Sequence, residues 1–272
     1  MAREAFRSLY GTLAKIKAES GVRITGTGDD DELWEILAVA SAAIDLRCNR
    51  HFYPRTQTQE FNGPGTNKLR VPDLISITSL KEDTTDDLTF DTTWATTDYF
   101  LEPANAAPTQ PYGSPYTHLI VRAQGTKAAF DSGQRNFEII GSWGYREHSE
   151  ASGSLLDEGS DIDATQTAVV VDNGADFDIG QTIVLDSEQM LITNISTNTL
   201  TVTRALNGTA GAIHLNNVQV NTLRWPHQAE RAAIMMTAVA FKSAPSIAQS
   251  VANLDITDEI DRLLAPLKRL AI

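Results

Sequence analysis

Cysteine is almost absent. Cys48 is the only one in 272 residues, which excludes an internal disulfide framework and every zinc site built on a cysteine cluster. Long hydrophobic runs are absent too. No stretch approaches the length of about 20 apolar residues that crosses a bilayer, and the opening MAREAFRSLYG lacks the apolar segment of a secretory signal. The expectation is a protein made and folded in a cytoplasm, with no membrane partner. Basic residues are scarce: 22 Lys and Arg against 35 Asp and Glu leave a net charge of −13. That balance argues against a surface for gripping nucleic acid, because sequence-independent binding depends on Lys and Arg neutralising phosphates. Catalytic signatures are missing as well. The chain holds no G-x-S-x-G, H-E-x-x-H, Walker A loop or G-x-G-x-x-G, and His51, His118, His148, His214 and His227 stand without ligand spacing. A hydrolase working through two carboxylates is the weakest reading, since nothing in so acidic a chain selects one pair. No catalytic residue, metal ligand or cofactor is expected.

What is present is a chain long enough for one large domain or two small ones, with 42% hydrophobic and 21% charged residues, an ordinary folded composition. The charge is uneven. Residues 147–222 hold eleven acids and one base, Arg204, for a net −10, so the rest of the chain carries only −3. That asymmetry predicts a separate segment.

The hydrophobic periodicity predicts an α+β protein: a small helical body with a β-section, and an inserted all-β barrel or sandwich. Residues 1–28 form an N-terminal arm, in which Phe6, Leu9, Tyr10, Leu13 and Ile16 suit either a packed helix or a segment ordered against a neighbour. A helix follows from Asp29. Asp29 and Glu32 have capping-box spacing, acids at 29–32 suit the positive end of the helix dipole, and Leu33, Ile36, Leu37, Ala40, Ala43, Ile44 and Arg47 with Cys48 recur on one stripe. Pro54 then sends the chain into extended structure. Strands are predicted at 58–61, 68–71, 75–81, 99–101, 118–122 and 137–143, with Val71-Pro72-Asp73 as a turn and a proline-rich loop over 102–115. A Ser/Gly/Asp-rich linker over 149–163 leads to strands at 167–171, 182–185, 189–195, 199–203 and 217–220. Helix returns at Trp225-Pro226, and a last one near Asp255 carries Ile256, Ile260, Leu263, Leu264 and Leu267 on one side. The expected division is therefore the arm (1–28), a body (29–148 with 222–272) and an acidic β-insert (149–221).

Several blocks, taken in order, resemble the head-to-tail connector, or adaptor, proteins of tailed bacteriophages. They are Asp30-Asp31-Glu32-Leu33 through Ala42-Ala43-Ile44-Asp45 to Cys48-Asn49-Arg50-His51-Phe52, then Val71-Pro72-Asp73-Leu74-Ile75-Ser76-Ile77, then Phe137 to Tyr145, then Trp225-Pro226 with Glu230-Arg231-Ala232. The blocks span roughly residues 29–145 and 223–272; about 75 residues stand where the family's β-strand runs almost directly into its late helix. The resemblance implies a structural virion protein without catalysis: a homo-oligomeric ring, commonly of twelve subunits, at the neck. It docks under the portal protein, meets a tail-proximal neck, stopper or tail-completion protein, and lets DNA pass through its lumen without sequence-specific binding. It also implies that the C-terminal helix, with Ile256, Ile260, Leu263, Leu264 and Leu267, engages the portal, although packing on the chain's own helix at 226–244 explains that stripe equally well. Arg50, Arg55, Lys68 and Arg70 are candidates for pairing with acids on adjacent subunits.

The alternative from another class is a carbohydrate-binding module of a tail tip or virion surface, stacking sugars on Trp94, Tyr99, Tyr112, Tyr116, Trp143 or Tyr145; core packing competes for each of them. The run Asp172-Asn173-Gly174-Ala175-Asp176-Phe177-Asp178 invites a calcium reading, against the simpler reading of a turn and polar loop.

Overall fold

The computed structural model describes residues 7–19, 23–243 and 258–269. It is an α+β protein with two antiparallel sheets, and it divides into two compact units, one of Met1–Phe52 with Ser149–Ile272 and one of Tyr53–His148.

The second unit is built on β1 (Arg55–Gly63), β2 (Lys68–Glu82), β3 (Thr92–Thr93), β4 (Tyr99–Glu102), β5 (Tyr116–Val121) and β6 (Gly133–Trp143), in the order β1-β6-β2-β5-β4 with β3 beside β2. Two of the predicted strands are one. β2 runs straight through Pro72, whose missing N–H falls where the β2–β5 register slips between Arg70 and Leu74, so the expected turn is a bulge. Gly141 marks another close approach: a Cβ there would lie 2.2 Å from the Ser76 carbonyl oxygen. Inside, Trp94 stacks on Phe130 at 4.7 Å, and Phe137 meets both rings edge-on. Trp94 Nε1 donates to Glu82 at 2.9 Å, and Trp143 Nε1 donates to the Gln57 carbonyl at 3.0 Å, so both buried indoles have acceptors.

The first unit holds α1 (Leu13–Ala18), α2 (Asp30–Cys48), β7 (Ser149–Leu155), β8 (Ala168–Val170), β9 (Thr182–Leu185), β10 (Glu188–Ser196), β11 (Thr199–Thr203), β12 (Gln219–Leu223), α3 (His227–Ser243) and α4 (Asp258–Leu264). Its sheet runs β7-β12-β9-β10-β11-β8. Past the strand ends, Leu156 bridges Val171, joining the two edges at one point. In α2 the expected stripe is buried at Leu33, Ile36, Leu37, Ala40, Ile44 and Cys48, while Ala43 is half-buried and Arg47 is exposed. The capping box does not form. Asp29 makes no side-chain cap bond, and the acids of the first turn act through the dipole and through the Lys17–Asp30 ion pair. The helix ends where Asn49 turns left-handed (φ 51°) and the Arg50 N–H reaches back to the Asp45 carbonyl at 3.2 Å. That turn buries Phe52 edge-on against Tyr10, which also meets Trp225 edge-on.

Two expectations change here. The linker predicted over 149–163 contains β7, an edge strand whose Ser152 donates to the Val220 carbonyl at 2.7 Å; its Ser- and Gly-rich composition hid it. Residues 8–16 of the expected N-terminal arm pack within the unit. Ser8, Leu9, Tyr10 and Leu13 are buried, the Leu13 N–H donates to Ile179 at 3.0 Å, and Thr182 donates to Ser8 at 2.9 Å. Gly180 (φ 101°) lets the chain pass so near that a Cβ there would sit 2.9 Å from the Gly11 carbonyl oxygen. The acidic sheet is thus packed with the N-terminal segment and shares a unit with the helices, and the stretch set apart is 53–148 rather than 149–221. Its two ends are neighbours, since Arg55 lies opposite Trp143. A fragment spanning 53–148 is therefore expected to fold alone, giving dispersed amide resonances in a two-dimensional NMR spectrum; a collapsed, coil-like spectrum would refute this.

Candidate functional site

The densest polar cluster lies in the acidic sheet. Glu188, at the start of β10, is 1% exposed. Arg204 holds its carboxylate at both oxygens, 2.7 and 2.6 Å, and the backbone N–H groups of Ala205 and Ala212 add bonds at 3.0 and 2.9 Å. His214, also 1% exposed, places Nε2 2.9 Å from Glu188 and Nδ1 2.7 Å from Asp186. Burial alone would raise the Glu188 pKa, but Arg204, His214 and the two N–H groups overcome it and hold the acid down at about 2. Arg204 further donates to the carbonyls of Asp163, Gln166 and Ala212. Three loops are clasped by one ion set. Sequence reading left His214 among the scattered histidines and missed the cluster. The available signal was Arg204 itself, the one base among eleven acids. An imidazole sealed from solvent between two carboxylates, with a guanidinium behind one of them, suits a structural clasp.

The run considered for calcium, 172–178, is laid out as turns. Asn173 caps a short 3-10 turn, Asp172 accepts from the Leu155 N–H, and Asp176 accepts from Ser154 and Asn173. Among the described residues no group of His, Cys, Asp and Glu is placed to hold a metal. No helix among them is long and apolar enough to cross a membrane.

The C-terminal stripe turns inward. Ile260, Leu264 and Leu267 are buried, α4 packs on α2 and α3, and the Arg269 N–H donates to the Cys48 carbonyl at 2.8 Å. Leu263 is half-buried, and Ile256 lies outside the described residues. Of the two explanations for the stripe, packing within the chain's own helices accounts for these three residues. Cys48, whose carbonyl takes the Arg269 bond, is fully buried, and burial pushes its thiol up to about 11. Truncation after Leu254 is therefore expected to make Cys48 reactive toward a thiol reagent that leaves the full chain untouched. An unreactive Cys48 in the truncated protein would show that α4 does not cover it.

The four candidate bases do not form one patch. Arg50 follows α2 in the first unit. Arg55 is exposed on edge strand β1, whereas Lys68 and Arg70 lie on β2. Cross-strand register sets Lys68 beside Ile120 and Phe100, and Arg70 beside His118 and Glu102. Phe100 is 51% exposed, with the Arg122 guanidinium 4.7 Å from its ring centre. Burial, Lys68 and Arg70 hold His118 below the ordinary histidine range against the opposite pull of Glu102. The result is a basic and aromatic face on an acidic protein. Of the aromatics considered for sugar stacking, Trp94, Tyr99 and Trp143 are core residues. Tyr116 and Tyr145 are half-buried, and Tyr112 stands almost wholly exposed in the 103–115 loop.

Comparison with protein-family models, with characterised proteins and with solved structures returns no match for this chain.

Proposed function

We propose that the protein is a non-enzymatic virion component of the neck of a tailed bacteriophage, a head-to-tail adaptor whose copies form a ring under the portal and continue the DNA channel toward the tail. Its partners are further copies of itself, the portal protein, and a tail-proximal neck, stopper or tail-completion protein. DNA crosses the lumen without being held. The observation that carries this reading is where the ordered, connector-like blocks fall. They supply α2 and the Asn49–Phe52 corner, β2, β6 and the opening of α3, all framework elements rather than loop decorations, as a structural role requires. The acidic balance supports it from the electrostatic side, because a conduit that neutralised six or more phosphates would retain DNA with steep salt dependence. The acidic sheet, stitched edge to edge at Leu156 and Val171, is read as a small barrel-like module. The C-terminal helix meets the portal with its outward side, Leu263 with Asp258, Glu259 and Arg262, while the three inward residues fix its position.

Negative-stain imaging of the purified full-length chain, followed by incubation with linear duplex DNA at physiological salt, tests this. Closed rings that leave DNA unbound are expected. Monomers, or rings that retain DNA tightly, would overturn it.

A further inference from the structure

The loop closed by the Glu188 clasp has an outer side. Ile213 and Leu215, one on each side of buried His214, are 68% and 66% exposed, an unusual cost in a segment this acidic. They do not move freely. His214 exchanges both backbone bonds with Ile162 at 3.0 and 3.2 Å, and its ring is fixed by Asp186 and Glu188. Asp161 and Asp163 flank Ile162 across from the pair, and both are exposed, as is Asp186. Asp161 accepts from the Asn216 N–H at 2.9 Å. Asp163 accepts from Thr165 and Gln166, and those bonds keep it ionised by holding its carboxyl below the usual range. The tip is therefore a rigid apolar pair with an anionic rim. The sheet face of the other unit is mainly opposite in charge and matches it in chemistry: Phe100 and Ile120 at the centre, with Lys68, Arg70 and Arg122 around them and Glu102 in the row of Arg70 and His118.

We propose that these two surfaces bind each other between copies, the Ile213–Leu215 tip of one chain seating on the Lys68–Arg70–Phe100–Arg122 face of the next. The inference rests on the ring reading above and names its contact. The two patches differ, so the contact is heterologous, the kind that propagates from copy to copy and closes into a ring when the rotation allows. An apolar centre with a complementary charged rim is also how a specific interface is commonly arranged. The basic face is consumed by the neighbour's acids, and so it does not line the channel.

Native mass spectrometry on five samples tests it: the wild-type chain, a face variant (Lys68→Glu with Arg70→Glu), a tip variant (Ile213→Ser with Leu215→Ser), the two variants mixed in equal amounts, and a chain with Arg70→Glu alone. Rings are expected for the wild type and monomers for the face and tip variants on their own. The mixture retains one intact face and one intact tip per pair, so it should stop at a one-to-one dimer. The single exposed change Arg70→Glu should weaken the ring in the same direction, and far-UV circular dichroism should be unchanged throughout. Raising the salt to about 1 M, where the screening length is about 3 Å, should shift the wild type toward smaller species. Rings that persist in both variants would overturn this contact and leave the ring reading standing; a monomeric wild type would remove both. Binding of a single-stranded oligonucleotide by the wild type, lost in a face variant that still forms rings, would assign the face to nucleic acid and also overturn the proposal.

Discussion

Glu188→Ala is expected to cost about 3–5 kcal/mol, the range found when one partner of a buried ion pair is removed and the other is left uncompensated. Few other single changes in this chain should cost as much. The loss leaves the Arg204 guanidinium, 7% exposed at its side chain, without its carboxylate partner, takes one of its two carboxylates from His214, and releases the N–H groups of Ala205 and Ala212. Glu188→Gln keeps the volume and should cost less, since it still offers one acceptor. The same group sets an acid limit. Its folded-state pKa is depressed from 4.5 to about 2, so its stabilisation is fully present above pH 4.5 and is lost as the pH falls from there toward 2. Urea titrations at pH 7 and pH 3 should therefore show the variant's deficit shrinking at the lower pH. An undiminished deficit would mean that packing, not charge, accounts for the loss.

The second large effect runs in the opposite direction with pH. Asp45 lies under the N-terminal segment, where the Tyr10 hydroxyl donates to it and Arg7 sits 3.4 Å away. Burial raises its pKa from 3.8 to about 7, more than Tyr10 and Arg7 lower it. A raised acid pKa means that the folded state holds a proton the unfolded chain has released. Stability therefore falls as the pH rises from 3.8 through 7, by about 4 kcal/mol over the whole span. Asp45→Asn should remove that slope and be more stable than the wild type at pH 8, provided the amide accepts from Tyr10 as the acid does. Thermal melts at pH 5 and pH 8 check this. A variant with the wild-type slope would place the titrating group elsewhere. Tyr10 links this site to the α2 corner, since its hydroxyl also accepts from the Phe52 N–H at 2.9 Å, so Tyr10→Phe should loosen both at once.

Elements with a single dominant signal were legible in the sequence. The α2 stripe, the strands at 182–185 and 199–203, and the helix opening at Pro226 follow from hydrophobic period and turn chemistry. β7 did not, because Ser149-Glu150-Ala151-Ser152-Gly153 reads as linker until a partner strand accepts its hydrogen bonds. The N-terminal segment did not either: Leu9, Tyr10 and Leu13 suit a helix, yet among its described residues the helix is Leu13–Ala18, with Thr12 as its cap. Residues 7–12 are instead committed to tertiary contacts with α2 and the acidic sheet. The division of the chain depended on those contacts, which no charge count reveals. The Glu188 clasp joins residues 16 and 26 positions apart, a spacing no local motif records. The face at Lys68 and Arg70 was half legible: the bases were selected, but Phe100 and Arg122 join them only through strand register.

The most direct test is the native mass of the full-length chain, measured over a hundredfold range of concentration at physiological salt. One closed assembly is expected, with a mass that is a fixed whole-number multiple of 29.6 kDa and does not grow with concentration. A single species at 29.6 kDa across the whole range would contradict it.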